Sequence, residues 1–162
     1  MTVNTKYSES RSSSSFTPDL PLVYVVLLAA LTLPRVVVHD LRLIAIDGPV
    51  YTALAVAPLL IWLLVAVFRK TKRPLLDFVV LGLAYGLFLG LTHQILWDAS
   101  WGGDIPHIGG NLAGKFSPLA ESLILRAFAL GSSVVTGLVF GAAFGLVALL
   151  ATKLRERQLL RY

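Results

Sequence analysis

Residues 75–97 read LLDFVVLGLAYGLFLGLTHQILW, a run of 23 residues in which Asp77 is the single charged side chain. The hydrocarbon core of a bilayer is about 30 Å thick, and about 20 helical residues cross it. Inside lipid, every backbone N–H and C=O must find its partner within the protein, which a helix achieves within one segment. This stretch therefore predicts a transmembrane helix.

Three further apolar stretches accompany it. Residues 50–68 carry no charge, residues 127–152 are 26 uncharged residues, and residues 21–38 are interrupted by Pro34 and Arg35. Arg35 stands near the end of its segment, where a long side chain can extend its charge toward the headgroups. The chain is therefore expected to be an all-α, polytopic membrane protein. We predict an antiparallel bundle of about four transmembrane helices, at about 21–38, 50–68, 75–97 and 119–152.

The composition agrees with lipid as the solvent of this chain. Of its 162 residues, 56% are hydrophobic and 14% are charged, and the mean hydropathy is +0.78. A soluble domain carries charge on about a quarter of its residues. We predict one transmembrane domain over residues 21–152, preceded by a disordered, Ser-rich cytoplasmic tail over residues 1–20 and followed by a basic cytoplasmic tail over residues 153–162.

The distribution of basic residues predicts the orientation. Ten of the fourteen lie in the N-terminal tail, in the loop 69–73 (RKTKR) and after residue 152. Short basic loops stay in the cytoplasm, so we expect a multi-pass protein of the cell membrane with both termini cytoplasmic. The lipid bilayer is the expected partner. The formal charge of +5 follows from this orientation, and nucleic acid is not an expected partner.

Two rows of glycine mark helix-packing faces. Glycine recurs every four residues in the third and fourth apolar stretches, which removes side chains from one face and lets a neighbouring backbone approach. The rows are expected to pack these two helices together or to contact a second copy or another membrane protein. The alternative is that they let helices slide, as in a transporter. The rows consist of Gly82, Gly86, Gly90, Gly137, Gly141 and Gly145.

Polar residues concentrate on the predicted outer side. At about 100° per residue, the first glycine row ends in His93 and Trp97, and Arg126 lies on the face of the second row. Antiparallel packing of the two rows would bring these three side chains together. The loop after Trp97 is long and rich in glycine, which is typical of a functional loop. The candidate outer-side binding residues are His93, Trp97, Asp98, Asp104, His107, Glu121 and Arg126.

Histidine and carboxylate on one side also raise the question of a metal or haem. The candidate metal ligands are His39, His93 and His107, but the sequence contains no HxxxH, HExxH or HxH spacing. His39 and His93 are also the pair that would clamp a haem between two axial imidazoles. With no cysteine, the chain has no thiolate metal site, disulfide or cysteine nucleophile. We expect no cofactor, and a divalent metal or haem is kept as an alternative.

No motif in the chain points to a particular family, and no catalytic residue is assigned. We expect a non-catalytic membrane scaffold or accessory subunit that packs through its glycine rows. One alternative is a component of a small-solute transporter or channel, which should carry polar groups near the bilayer midplane. Another is a haem- or metal-binding membrane protein that uses the outer-side histidines. An enzyme is less expected, because no spacing requires a nucleophile–base pair.

Overall fold

A computed structural model describes residues 18–159, which form helices joined by loops and contain no strand. Four helical segments are long and apolar enough to cross a membrane, and α1 and α2 together make up the first of them. The predicted all-α fold with four membrane helices is thereby confirmed. Residues 1–17 of the predicted tail and residues 160–162 lie outside the described range. The helices are α1 (Leu22–Ala30), α2 (Leu33–Asp40), α3 (Pro49–Phe68), α4 (Pro74–Ile95), α5 (Trp97–Trp101) and α6 (Pro118–Leu159).

The first span is broken between α1 and α2. Pro34 has no N–H to continue the helical ladder across this point. The Thr32 N–H and hydroxyl both donate to the Ala29 carbonyl, at 3.2 and 2.7 Å. The Leu28 carbonyl accepts instead from the indole of Trp62, at 3.0 Å. The span resumes as α2 and reaches Asp40, two residues beyond its predicted end.

The two glycine rows lie against each other in the interface between α4 and α6. A methyl group added at Gly137 would overlap the Gly82 carbonyl oxygen and lie 2.6 Å from the Gly86 Cα. One at Gly86 would lie 2.8 Å from the Ser133 carbonyl oxygen. Further along α6, Gly145 contacts Leu75, which precedes Gly82 in α4. Positions later in α6 thus meet positions earlier in α4, so the two helices run antiparallel. Both rows are thus occupied within the chain.

Aromatic side chains fill the core around this interface. Trp62 and Phe78 are fully buried, and Tyr85 is nearly so. The Trp62 ring packs edge-to-face against Tyr85 and Phe144, with centroids 5.7 and 5.6 Å apart. Such pairs add to the free energy gained by burying the rings. They join α3 to α4 and α6.

Helix α6 extends well beyond one membrane thickness. Ser117 caps it by accepting the Ala120 N–H at 3.3 Å, and Pro118 is its first residue, as the sequence indicates. At about 1.5 Å per residue, its 42 residues span roughly 63 Å. The helix continues to Leu159, so residues 153–159 of the predicted tail are helical. The predicted loop after Trp97 is also partly helical, with α5 and a 3₁₀ turn at Gly110–Leu112.

At the end of the bundle that carries loop 69–73, called here the basic end, two aspartates hold the chain reciprocally. The buried Asp77 carboxylate accepts the N–H groups of Asp19 and Leu20, at 2.7 and 3.0 Å. The Asp19 carboxylate accepts those of Lys72 and Arg73, at 2.7 and 3.2 Å. These bonds fix the start of the first span to the start of α4.

Candidate functional site

The opposite end of the bundle, which carries His39 and His93 and is called here the histidine end, contains a buried carboxylate between two imidazoles. Asp40 is 1% exposed. Its Oδ2 lies 2.6 Å from the Nδ1 atom of His93, and its Oδ1 lies 3.1 Å from that of His39. An ionised carboxylate only accepts hydrogen bonds, so it requires a proton on both Nδ1 atoms. In a neutral ring this leaves Nε2 with its lone pair. We call these three residues the His–Asp–His cluster.

A regular stripe of buried residues explains the position of Asp40. Val25, Ala29, Thr32 and Val36 precede it at intervals of three or four, and all four are buried. This is the spacing of one helix face, and the face turns inward despite the break after α1. Asp40 is the last member of the stripe. His39, one position earlier, is 46% exposed.

Two cavities meet at the cluster. Cavity A, of about 420 Å³, lies between α2, α4, α5 and α6, beneath the tryptophans of α5. Cavity B, of about 330 Å³, lies between α2, α3, α4 and α6. The two share four lining residues, which are His39, Leu89, His93 and Thr136. The imidazoles therefore stand at the boundary between them.

Cavity B also contains an arginine. The Arg35 guanidinium donates to the Tyr51 hydroxyl at 3.2 Å and lies 5.3 Å from the centre of that ring. Its Nε is buried and has no hydrogen-bond partner within residues 18–159. Pro58 lines the same cavity and has no N–H, which leaves the Leu54 carbonyl without its usual helical donor. Cavity B thus offers donors and an acceptor inside the bundle.

Of the three side chains expected to converge, Trp97 lies beside Arg126 and shares a cavity with His93. His93 and Trp97 line cavity A, and the Arg126 guanidinium lies 4.8 Å from the centre of the Trp97 ring. Arg126 also donates to the Gln94 carbonyl at 3.2 Å, and the Gln94 amide returns a bond to the Arg126 carbonyl at 3.1 Å. Asp98 lies 3.9 Å from the guanidinium. Arg126 therefore joins the start of α6 to the end of α4.

The other predicted outer-side residues lie apart from the cavities. The Glu121 carboxylate accepts the Ile108 N–H and lies 3.5 Å from His107 Nδ1, which ties the long loop to α6. The His107 side chain is 84% exposed. Asp104 has no side-chain partner within residues 18–159. Glu121 and His107 thus hold a surface loop against α6, and neither these two residues nor Asp104 line a cavity.

Of the candidate metal ligands, the structure brings together His39 and His93 but not His107. Within residues 18–159, no group of three or more His, Asp or Glu side chains is arranged to hold a metal ion. Both cluster imidazoles direct Nδ1 toward Asp40, so Nε2 is the nitrogen left on each ring to ligate a metal or haem. The metal and haem alternatives stay predictions.

Sequence reasoning did not select Asp40, Arg35 or Tyr51 as site residues. Asp40 could have been found by continuing the 3.6-residue pattern of the first span past Val38. The pairing of Arg35 with Tyr51 depends on how α2 packs against α3, which no local pattern encodes. No protein-family model, curated protein or solved structure matches the chain. The function is therefore inferred from the site.

Proposed function

We propose that this protein binds a small solute inside its helix bundle, as a component of a small-solute transporter in the cell membrane. The observation that supports this most directly is the buried Asp40 carboxylate, which holds two imidazoles at the boundary of two cavities. Ionisable side chains at membrane depth are costly, and they commonly line pathways for ions and substrates.

The geometry favours this proposal over a scaffold that packs through glycine rows. Both rows are buried between α4 and α6, and the contacts of Gly82, Gly86 and Gly137 leave no room for a partner helix on those faces. A scaffold or accessory subunit stays a prediction, but the glycine rows that suggested it are already packed against each other within the chain. A second copy or another membrane protein would have to contact a different surface.

The site also supplies what solute binding requires. Its polar groups come from every span: Asp40 and Arg35 from α2, Tyr51 from α3, His93 from α4 and Thr136 from α6. Leu89 and neighbouring apolar side chains complete the walls. Ligand sites in proteins combine mostly apolar walls with a few placed polar groups. Helices that each contribute one such group can change the site by shifting relative to one another.

We propose further that the histidine end faces outward and that both chain termini are cytoplasmic. The loop 69–73 carries four basic residues and lies at the basic end, together with the C-terminal turns of α6. Short loops rich in lysine and arginine are retained in the cytoplasm. With this orientation, a solute would reach cavity A from outside the cell.

Cysteine accessibility tests the proposed function, because the natural chain has no cysteine. Thr136→Cys places a thiol at both cavities, and Val135→Cys, one residue away, places it on a side chain that is 60% exposed on the apolar surface. In membranes, a water-soluble methanethiosulfonate should label Thr136→Cys and leave the lipid-facing Val135→Cys unlabelled. Equal resistance of both cysteines would contradict a water-reached solute site.

A further inference from the structure

We infer that cavity B binds a small organic monocarboxylate, with Arg35 as the residue that holds its charge. This deepens the proposed function, on which it rests, by giving the chemical class of the solute.

Among the described residues that line cavity B, Arg35 carries the permanent charge, and that charge is positive. Arginine stays protonated in proteins. Within residues 18–159, no carboxylate lies at ion-pair distance from Arg35, and no Asp or Glu lines cavity B. Asp40 lines cavity A instead, and both of its carboxylate oxygens are bonded to imidazoles. A positive charge that has no partner within its cavity favours a ligand with a single negative charge.

Arg35 has donors left for an anion. Its bond to Tyr51 uses Nη2, and within residues 18–159 the other terminal nitrogen, Nη1, makes no hydrogen bond. The Tyr51 hydroxyl accepts from Arg35, so its own proton is free to be donated. The planar guanidinium matches the two oxygens of a carboxylate better than an ammonium does. The guanidinium of Arg35 and the hydroxyl of Tyr51 can therefore both donate to the same anionic group of a ligand.

The walls indicate an apolar body attached to that anionic group. Cavity B is about 330 Å³, and most of its lining is apolar, including Val36, Leu54, Leu59 and Phe140. An inorganic anion would make no apolar contact with these walls, whereas the hydrocarbon part of an organic acid can pack against them. The phosphate of a lipid headgroup offers related charge, and the experiment distinguishes it from a free carboxylate.

The first arm measures the charge of the cavity with Thr136→Cys in phosphatidylcholine vesicles. Labelling rates are compared for a negatively charged sulfonatoethyl and a positively charged trimethylammonioethyl methanethiosulfonate, each normalised to a free thiol. The negative reagent should react roughly tenfold faster or more, as expected for a charged cleft. Arg35→Gln should abolish this preference. Equal rates with native Arg35 would overturn the inference.

The second arm identifies the ligand and keeps Arg35 native. Sodium propionate should slow labelling of Thr136→Cys, whereas propionamide, its neutral counterpart of similar shape, should not. Absence of protection by propionate overturns the inference. If adding phosphatidylglycerol alone slows labelling and propionate adds nothing, a lipid phosphate occupies the site and the carboxylate assignment is wrong.

Different results would contradict the solute site and the monocarboxylate assignment. If Thr136→Cys reacts with both reagents equally and propionate does not protect it, the monocarboxylate is wrong while the water-reached site stands. If Thr136→Cys does not react at all and Val135→Cys behaves likewise, the proposed function itself is contradicted.

Discussion

Asp40 and His93 lie 53 positions apart in the sequence and are joined by a 2.6 Å hydrogen bond between Oδ2 and Nδ1. This bond connects the end of the first span to the last turn of α4. Because Asp40 is buried, its carboxylate depends on the two imidazoles for the hydrogen bonds that water would otherwise supply. The same contact therefore stabilises the histidine end and orients the rings toward the cavities.

Replacing the carboxylate should destabilise the bundle. In Asp40→Ala, the Nδ1 atoms of His39 and His93 both lose the buried acceptor that they share. We expect a loss of about 1–3 kcal/mol in the free energy of unfolding, the usual effect of breaking a buried hydrogen-bonded group. Reversible unfolding in mixed micelles measures it. Asp47→Ala, at an exposed position, should change little. Equal stability of the two variants would mean that the cluster contributes nothing to the fold.

The glycine interface predicts a sharp difference between two substitutions on α6. In Gly137→Ala, the new methyl group would overlap the Gly82 carbonyl and force the helices apart. We expect a loss of about 1–3 kcal/mol or more, as for overpacked interiors. Gly131→Ala adds a methyl group with no atom within 4 Å, so it should be neutral or slightly stabilising. The same unfolding assay compares them, and a similar cost at both sites would refute the close packing of α4 on α6.

One indole satisfies a carbonyl that the break in the first span leaves without its helical donor. Trp62→Phe keeps an aromatic ring in the core but leaves the buried Leu28 carbonyl without its donor. A loss of about 1–3 kcal/mol in the free energy of unfolding is expected. Trp101→Phe serves as the control, because that side chain is 39% exposed and donates no hydrogen bond within the described residues. If Trp62→Phe unfolds like the natural chain, another group satisfies the Leu28 carbonyl.

Orientation can be read in intact cells from two single cysteines. Lys70→Cys lies in the loop at the basic end, and Asp104→Cys lies in the loop at the histidine end. A membrane-impermeant maleimide added outside should label Asp104→Cys and leave Lys70→Cys unlabelled until the cells are opened. The reverse pattern would place the termini outside and invert the proposed access to cavity A.

The sequence was sufficient for the spans because each apolar run is as long as a bilayer is thick, and lipid leaves such a run only helical structure. The convergence of His93, Trp97 and Arg126 followed from helical periodicity along glycine faces. The His–Asp–His cluster could not be predicted in this way, because the first span was predicted to end at residue 38, which left Asp40 in the following loop. The span instead breaks at Thr32 and continues inward-facing to Asp40. Cavity B could not be predicted from the sequence, because it depends on how α2 packs against α3.

The central claim is that water and solute reach the cluster, and the three histidines of the chain allow a direct test without mutation. Diethyl pyrocarbonate acylates neutral imidazole nitrogens, and modified peptides are resolved by mass spectrometry. In membranes, we predict modification of His39 and His93 through their free Nε2 atoms. Sodium propionate should slow the reaction at these two and not at the exposed loop residue His107. Modification of His107 alone would contradict the account, since it would leave the cluster as a sealed structural contact.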